Sequence, residues 1–363
     1  MVVKSNSNGA DAPNSGSSEL NSNESVKSDP VDPTPTEEDE ELDSTLRPTE
    51  WDEYVGQEKV KENIKVIVKA AKKRGDPHLE HLLLYGGSGL GKTTLSHLIA
   101  EEMGANIKVT AGPSIERPGD LASILTNLEE GDVLFLDECH RINKMAEEVM
   151  YPAMEDFKLH LVLGRGPMAE TKEIDLPKFT LVGATTRLAL ISAPLRNRFG
   201  ATFRLGFYSQ EEMEDIIRRS ADILEVEIEE EAVVKIAERS RFTPRVANRL
   251  LKRVRDFAQV KGEGKIEADI AEKALTFLEI DEEGLEPGDR RILKAVVDKF
   301  DGGPVGLKTL AAATSEQERT ILNIYEPYLI QRGFIERTNR GRIATEKSYE
   351  HLDEVDIDNR KLL

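Results

Sequence analysis

The run Gly86-Gly87-Ser88-Gly89-Leu90-Gly91-Lys92-Thr93 sets glycines, a lysine and a hydroxyl at the spacing of a phosphate-binding loop. In such a loop, backbone N–H groups and a helix N-terminus converge on nucleotide phosphates. Lys92 would reach the β- and γ-phosphates, and Thr93 would hold Mg2+ through its hydroxyl. A pair of acids, Asp137-Glu138, closes the apolar run Val133-Leu134-Phe135-Leu136. Read alone, the pair could cap the next helix. Downstream of a phosphate loop, Asp137 suits the Mg2+ shell and Glu138 suits polarising an attacking water. Thr186, with Thr185 close behind, is the hydroxyl chosen to sense the γ-phosphate or that water. Arg196 and Arg198 in Pro194-Leu195-Arg196-Asn197-Arg198-Phe199 read either as solvated surface or as a finger offered to a neighbouring subunit's phosphate. Arg245 follows Thr243 and Pro244, an N-cap and first helical residue, and could reach back to the phosphates from a helix's first turn.

These groups need a scaffold that holds them at strand ends. Leu82-Leu83-Leu84-Tyr85 precedes the loop, and Leu95, Leu98, Ile99 and Met103 share a helical face after it. Further strands are read at Ile107–Val109, Val133–Leu136 and Phe179–Val182. The fold class is therefore α/β, with chemistry at the C-terminal ends of buried parallel strands. Before the loop, WDEYVGQEKV leads into a helix carrying Ile64, Ile67, Val68 and Ala71, a segment that could wrap the adenine end of a nucleotide. Residues 159–176 alternate around Gly164, Gly166 and Pro167 and read as a β-hairpin with Met168 and Ala169 near its tip. An exposed apolar tip suits a protein partner; a hairpin folded onto its own domain is the alternative.

From Ser209 to about Glu279 the spacing becomes wholly helical, a small lid. After a Gly/Pro/acid linker near Glu282–Gly288, three short helical segments lead into GFIERTNRGRIAT, two short strands around Asn339-Arg340-Gly341. That order predicts a winged-helix module. Arg337, Arg340 and Arg342 on the wing are candidate phosphate contacts, with salt-dependent affinity; a protein-docking role is the competing reading.

The net charge of −19 argues by itself against nucleic-acid binding, but it is unevenly placed. Residues 1–44 hold eleven acids against Lys4 and Lys27, about half of the excess, and so few aliphatic residues that disorder is expected. The single cysteine, Cys139, excludes an internal disulfide and fits a reducing cytosol. No apolar run approaches the roughly 18 residues of a membrane span, and no signal-peptide core is seen at the N-terminus. A cytoplasmic location is expected.

Taken together, LRPxxxxEYVGQ, GLGKTTL, LTNLEEGDVLFLDECHR, EEVMYPAMEDFKL, IDLPKFTLVGATTR, APLRNRFG, FTPRVANRLLKRVRDFA, GGPVGLKTLAAA and EPYLIQRGFIERTNRGR resemble the RuvB family of bacterial Holliday-junction branch-migration ATPases, from about Leu46 to about His351. The resemblance implies an AAA+ P-loop domain over 45–208 (parallel sheet, helices on both faces, hairpin inserted at 159–176), an all-helical lid over 209–280 and a winged helix over 281–350. A disordered acidic tail (1–44) and a C-terminal tail (351–363) flank them. It implies a hexameric motor on duplex DNA, using ATP and Mg2+, loaded by RuvA at the hairpin, with RuvC resolving the product. Carried over, Leu46, Arg47 and Tyr208 contact the nucleotide from outside the loop that contains Gly86, Gly89 and Gly91. Lys92, Thr93 and Thr94 hold phosphates and metal, Asp137 and Glu138 form the Walker B pair, and Thr186 is sensor 1. Arg198 is the finger in trans, with Glu155, Asp156 and Phe157 on the face near the neighbour's nucleotide. Arg245 is sensor 2, and Arg337 and Arg342 contact DNA.

The chain departs from the family pattern at Gly87-Ser88, where two prolines are usual, which predicts a more mobile unbound loop. Cys139 replaces an aliphatic residue and reads as a small buried hydrophobe. Two rivals are weighed. Asp137-Glu138-Cys139-His140 spells the DECH box of two-lobed helicases, but the remaining chain reads as a helical lid and a winged helix rather than a second lobe. A nucleotide-gated DNA-binding regulator, or a catalytically silent subunit, is disfavoured by the intact acids, threonine and arginine.

Overall fold

The structure is a computed structural model that describes the backbone of residues 37–163 and 170–361 and the side chains of residues 41–160 and 172–353. In chain order the first part comprises α1 (Glu37–Thr45), α2 (Glu58–Arg74), β1 (Leu82–Tyr85), α3 (Lys92–Met103), β2 (Ile107–Ala111), α4 (Pro118–Thr126), β3 (Val133–Asp137), α5 (Lys144–Glu155), β4 (Lys158–Leu163), β5 (Glu170–Asp175), β6 (Thr180–Thr185), α6 (Ala193–Arg196) and β7 (Ala201–Arg204). The five-stranded sheet has the order β2-β3-β6-β1-β7, all parallel. Successive strand residues face opposite sides. Leu82 and Leu84 enter one core with Phe135, Val182 and Ala184, whereas Leu83 enters the other with Leu134, Leu136 and Leu181. Burial on both faces explains the unbroken apolar runs. Truncating any of these leucines to alanine should cost about 2–5 kcal/mol.

The strand β7 is absent from the sequence reading. It is a short edge strand in which only alternate residues are half-buried, so it carries no long apolar run. β4 and β5 pair antiparallel in their own sheet, with Lys158 opposite Asp175, which places a hairpin where alternation predicts one. Its expected apolar tip, Met168 and Ala169, lies outside the described residues.

The lid comprises α7 (Gln210–Ile223), α8 (Glu230–Glu238), α9 (Pro244–Lys261) and α10 (Ala268–Phe277). A reciprocal cap opens α7: Glu212 N donates to Ser209 Oγ, and Ser209 N donates to Glu212 Oε2. The core on the Leu82 side of the sheet continues into the lid through Met213, Ile217, Val233 and Leu250. α9 starts at Pro244 as read, but Thr243 does not cap it with its side chain, because its hydroxyl donates back to Arg241 O at 3.0 Å.

The third unit has its own core and contains α11 (Pro287–Lys294), α12 (Leu307–Thr314), α13 (Glu318–Thr320), α14 (Glu326–Gln331), β8 (Ile335–Thr338), β9 (Gly341–Ala344) and α15 (Glu346–Lys361). Helices followed by the antiparallel β8–β9 pair give the winged-helix arrangement that the order of segments predicts. Two expectations about the termini are corrected. Of the stretch 1–44 expected to be disordered, residues 37–44 belong to α1, a helix that packs on α9 with Leu42 buried, and residues 1–36 lie outside the described residues. Residues 351–363 were read as a tail, yet α15 continues through Lys361 and Leu352 is buried in the third core.

Candidate nucleotide site and wing

The loop between β1 and α3 ends at Gly91, so Lys92, Thr93 and Thr94 form the first turn of α3 with N–H groups directed outward. Lys92 is buried, and its Nζ donates to Gly86 O at 3.1 Å and Gly87 O at 2.6 Å. Burial pulls its pKa down, while Asp137 and Glu138 pull it back up and Arg245 opposes them. These four side chains therefore share one electrostatic site, although they come from α3, the end of β3 and the lid helix α9.

Asp137 is the last residue of β3, and its Oδ1 accepts the Glu138 N–H at 2.9 Å. Burial raises its pKa, with Lys92 working against that. Glu138 follows in the left-handed region at φ 45. Such a backbone is costly for a side-chain-bearing residue and marks a constrained site. The chain accommodates it at Gly112, where a Cβ would stand 2.5 Å from Glu138 O. The Thr186 hydroxyl donates to Glu138 Oε2 at 3.0 Å, whereas Thr185 bonds His140 instead, at 2.9 Å.

From the lid side, Arg245 holds Asp43 Oδ2 with Nε and Nη2, each at 2.9 Å, and its Nη1 stands 3.5 Å from Ser88 Oγ. Tyr208 is buried and donates to Leu90 O and to the Tyr54 hydroxyl, both at 3.2 Å. Arg47 Nη1 and His97 Nε2 are 2.9 Å apart, and Leu46 is buried with its carbonyl accepting from Arg219. No group of three or more histidine, cysteine or acidic side chains that could cage a metal occurs among the described residues. The donor set is a threonine hydroxyl and one carboxylate. That set fits Mg2+, which keeps waters and phosphate oxygens in its shell rather than an all-protein cage.

Arg198 does not belong to this cluster. Its guanidinium lies 4.3 Å from the Tyr151 ring centroid, Nη1 donates to Pro194 O at 2.8 Å, and Nη2 donates to Glu155 at 3.2 Å. Arg198 Nε is buried with no hydrogen-bond partner among the described residues. The next residue, Phe199, packs so closely on β6 that a Cβ at Gly183 would stand 2.8 Å from its ring. Glu155 and Asp156 are exposed. Phe157 is only half-exposed, and its ring packs inward against His78 and Phe179, with centroids 5.0 and 5.8 Å apart.

On the wing, Arg337 and Arg340 are exposed. Arg342, expected to touch DNA, is not. It is buried, and its Nε and Nη2 donate to the buried Glu326 at 3.1 and 2.7 Å. Arg342 lies directly opposite Arg337 in the β8–β9 register, so both face Glu326, and only Arg337 extends outward from it.

Residues 46–205 match the family model of the Holliday junction DNA helicase RuvB P-loop domain, 208–281 that of the RuvB AAA lid domain, and 282–353 that of the RuvB C-terminal winged helix domain. The chain belongs to the RuvB family. The Holliday junction branch migration complex subunit RuvB of Dehalococcoides mccartyi is 58% identical over 315 residues, 87% of this chain and 90% of that one. Its counterpart from Thermomicrobium roseum is 57% identical over 330 residues, 91% of this chain and 93% of that one. The solved Thermotoga maritima RuvB Holliday junction branch migration motor superposes with a TM-score of 0.77 at 50% identity, covering 85% of this chain and 98% of that one. As a RuvB-family protein the chain is an AAA+ ATP hydrolase and an ATP-driven branch-migration motor.

Sequence reasoning missed several neighbours of this RuvB-type site. Tyr54 lies within the quoted EYVGQ motif but was given no role, although its hydroxyl accepts from Tyr208. His140 was visible in the DECH run. Asp43 had no signal, because it reaches Arg245 across most of the chain. No helix among the described residues is long and apolar enough to cross a membrane.

Proposed function

We propose that this chain assembles as a homo-hexameric ring on duplex DNA in the cytoplasm, hydrolyses ATP between adjacent subunits and drives migration of Holliday junctions. Lys92, Thr93 and Thr94 bind the phosphates. Bound Mg2+ supplies charge neutralisation on the phosphate oxygens, and Thr93 and Asp137 are the residues that would hold it. Glu138 orients and accepts a proton from the attacking water, Thr186 fixes that carboxylate, and Arg245 closes over the site from the lid. Leu46, Arg47 and Tyr208 bracket the base end of the nucleotide. RuvA docks on the 159–176 hairpin, RuvC resolves the product, and Arg337 and Arg340 contact DNA phosphates.

The observation that supports this reading best is the division of the charges. Lys92, Asp137, Glu138 and Arg245 form one electrostatic cluster, while Arg198 sits apart on Tyr151 and Glu155 with a buried Nε unpartnered among the described residues. An arginine parked at a distance from its own phosphate loop suits action on the neighbour's nucleotide. Strand exchange on synthetic four-way junctions, with and without RuvA, tests it. Glu138→Gln and Arg198→Ala should both bind ATP and both fail to move the junction. Junction movement at the wild-type rate by Arg198→Ala would refute the trans assignment.

A further inference from the structure

His140 has no role in the reading above, yet it touches the centre of it. We propose that His140 is a positioning residue: its ring, tied to Thr185, sets Nδ1 against the Glu138 carboxylate and keeps that carboxylate in its working orientation. This rests on Glu138 being the acid that orients the water.

Glu138 Oε2 meets two groups, the Thr186 hydroxyl and His140 Nδ1, each at 3.0 Å. An ionised carboxylate offers only acceptor sites, so the nitrogen facing it carries the proton, and that one N–H is shared between the carboxylate and Thr185 Oγ1. The same Nδ1 stands 2.9 Å from Thr185 Oγ1, which also accepts the Arg187 N–H at 2.9 Å. The threonine hydroxyl is thereby fixed by the strand end, and it fixes the plane of the ring. Only 7% of the His140 side chain is exposed, so the imidazole has little freedom to turn away.

The carboxylate is consequently held from two directions, by the turn that follows β3 and by the tip of β6. A water-orienting group needs that restraint. A displacement of about 1 Å at a reacting centre can lower a rate about a hundredfold. Glu138 also stands on a left-handed backbone at a turn, where its own main chain sets the starting direction of the side chain but not its end point. Thr186 alone supplies one direction; His140 supplies the second.

The test measures steady-state hydrolysis by the full chain with ATP, magnesium, RuvA and four-way-junction DNA, alongside fluorescent ADP binding and melting temperature. His140→Ala should lower kcat about 10- to 100-fold while ADP affinity stays within about twofold. His140→Asn, which places a donor near the Nδ1 position, should recover most of the rate. His140→Leu, which fills the space without a donor, should not. Wild-type turnover in His140→Ala, or equal recovery by Asn and Leu, would overturn the positioning role. Glu138→Gln separates the two levels. Full turnover in that variant overturns the assignment of the acid and the positioning role with it, whereas a dead Glu138→Gln beside an unimpaired His140→Ala overturns the positioning role alone.

Discussion

The Asp43 carboxylate, on a helix ahead of the P-loop domain, is gripped by Arg245 of the lid through Nε and Nη2, each at 2.9 Å. A side chain suited to phosphate thus already holds an anion from its own chain. Under the proposed lid role of Arg245, nucleotide must draw it away from that carboxylate or share it.

Asp43→Asn should therefore bind ATP more tightly. The pair is only partly buried, so its strength is about 0.5–1 kcal/mol, equivalent to a gain of about two- to fivefold in affinity. Titration calorimetry at low and high salt measures it, and the gain should shrink as salt rises. Unchanged affinity at both salt levels would show that Arg245 is not contested.

The three wing arginines should separate cleanly. Arg342→Ala leaves the buried Glu326 carboxylate only the 3.6 Å approach of Arg337 and should destabilise the winged helix by about 3 kcal/mol, seen as a lowered melting temperature. Arg337→Ala and Arg340→Ala should leave melting within a degree or so of wild type. Each should instead weaken DNA binding and reduce its salt slope by about one. A thermally unaffected Arg342→Ala would contradict the inward pairing.

His81 gives the fold an acid limit. Its Nδ1 accepts the Leu181 N–H at 2.9 Å, and Nε2 donates to Met154 O at 3.0 Å, an arrangement only the neutral ring can make. Burial lowers its pKa from 6.5 to about 4. Between those values the unfolded chain binds a proton that the folded chain refuses, so stability rises with pH across this window. It falls by about 3 kcal/mol as pH drops from 6.5 to 4. Denaturant melts at pH 7 and pH 5 should show this loss in wild type and a smaller one in His81→Gln. Equal acid sensitivity in the two proteins would remove His81 as its source.

Gly112→Ala offers a lesion that adds only a methyl. The new Cβ would stand 2.5 Å from Glu138 O, so either the acid's left-handed backbone shifts or the loop before α4 moves. Turnover should drop about tenfold or more with ADP binding retained. A variant with wild-type kcat would mean that the carbonyl of Glu138 has room to spare.

Legibility tracked distance along the chain. The strand, glycine loop and helix around Lys92 were readable because each signal lies within a few residues of the next, as was the acid pair ending β3. The wing was readable as a hairpin but not in its facing. Arg337 and Arg342 look alike in sequence, and only their pairing across the β8–β9 register, with Glu326 beneath, turns one of them inward. β7 escaped notice because an edge strand needs no continuous apolar run. Asp43 escaped because a lone aspartate in an acidic stretch has nothing local to distinguish it from its neighbours. The inward turn of Phe157 depends on His78 and His81, in the one segment that leads into β1, and on Phe179 beyond the hairpin.

The close fit of Phe199 on Gly183 ties the base of Arg198 to the strand whose tip carries Thr185 and Thr186. Under the trans reading, a bulkier residue at 183 would harm two catalytic centres at once, its own through β6 and Thr186 and the neighbour's through Arg198. Rings blended from intact and altered protomers would then lose activity in proportion to seams rather than chains, a poisoning pattern diagnostic of shared machinery.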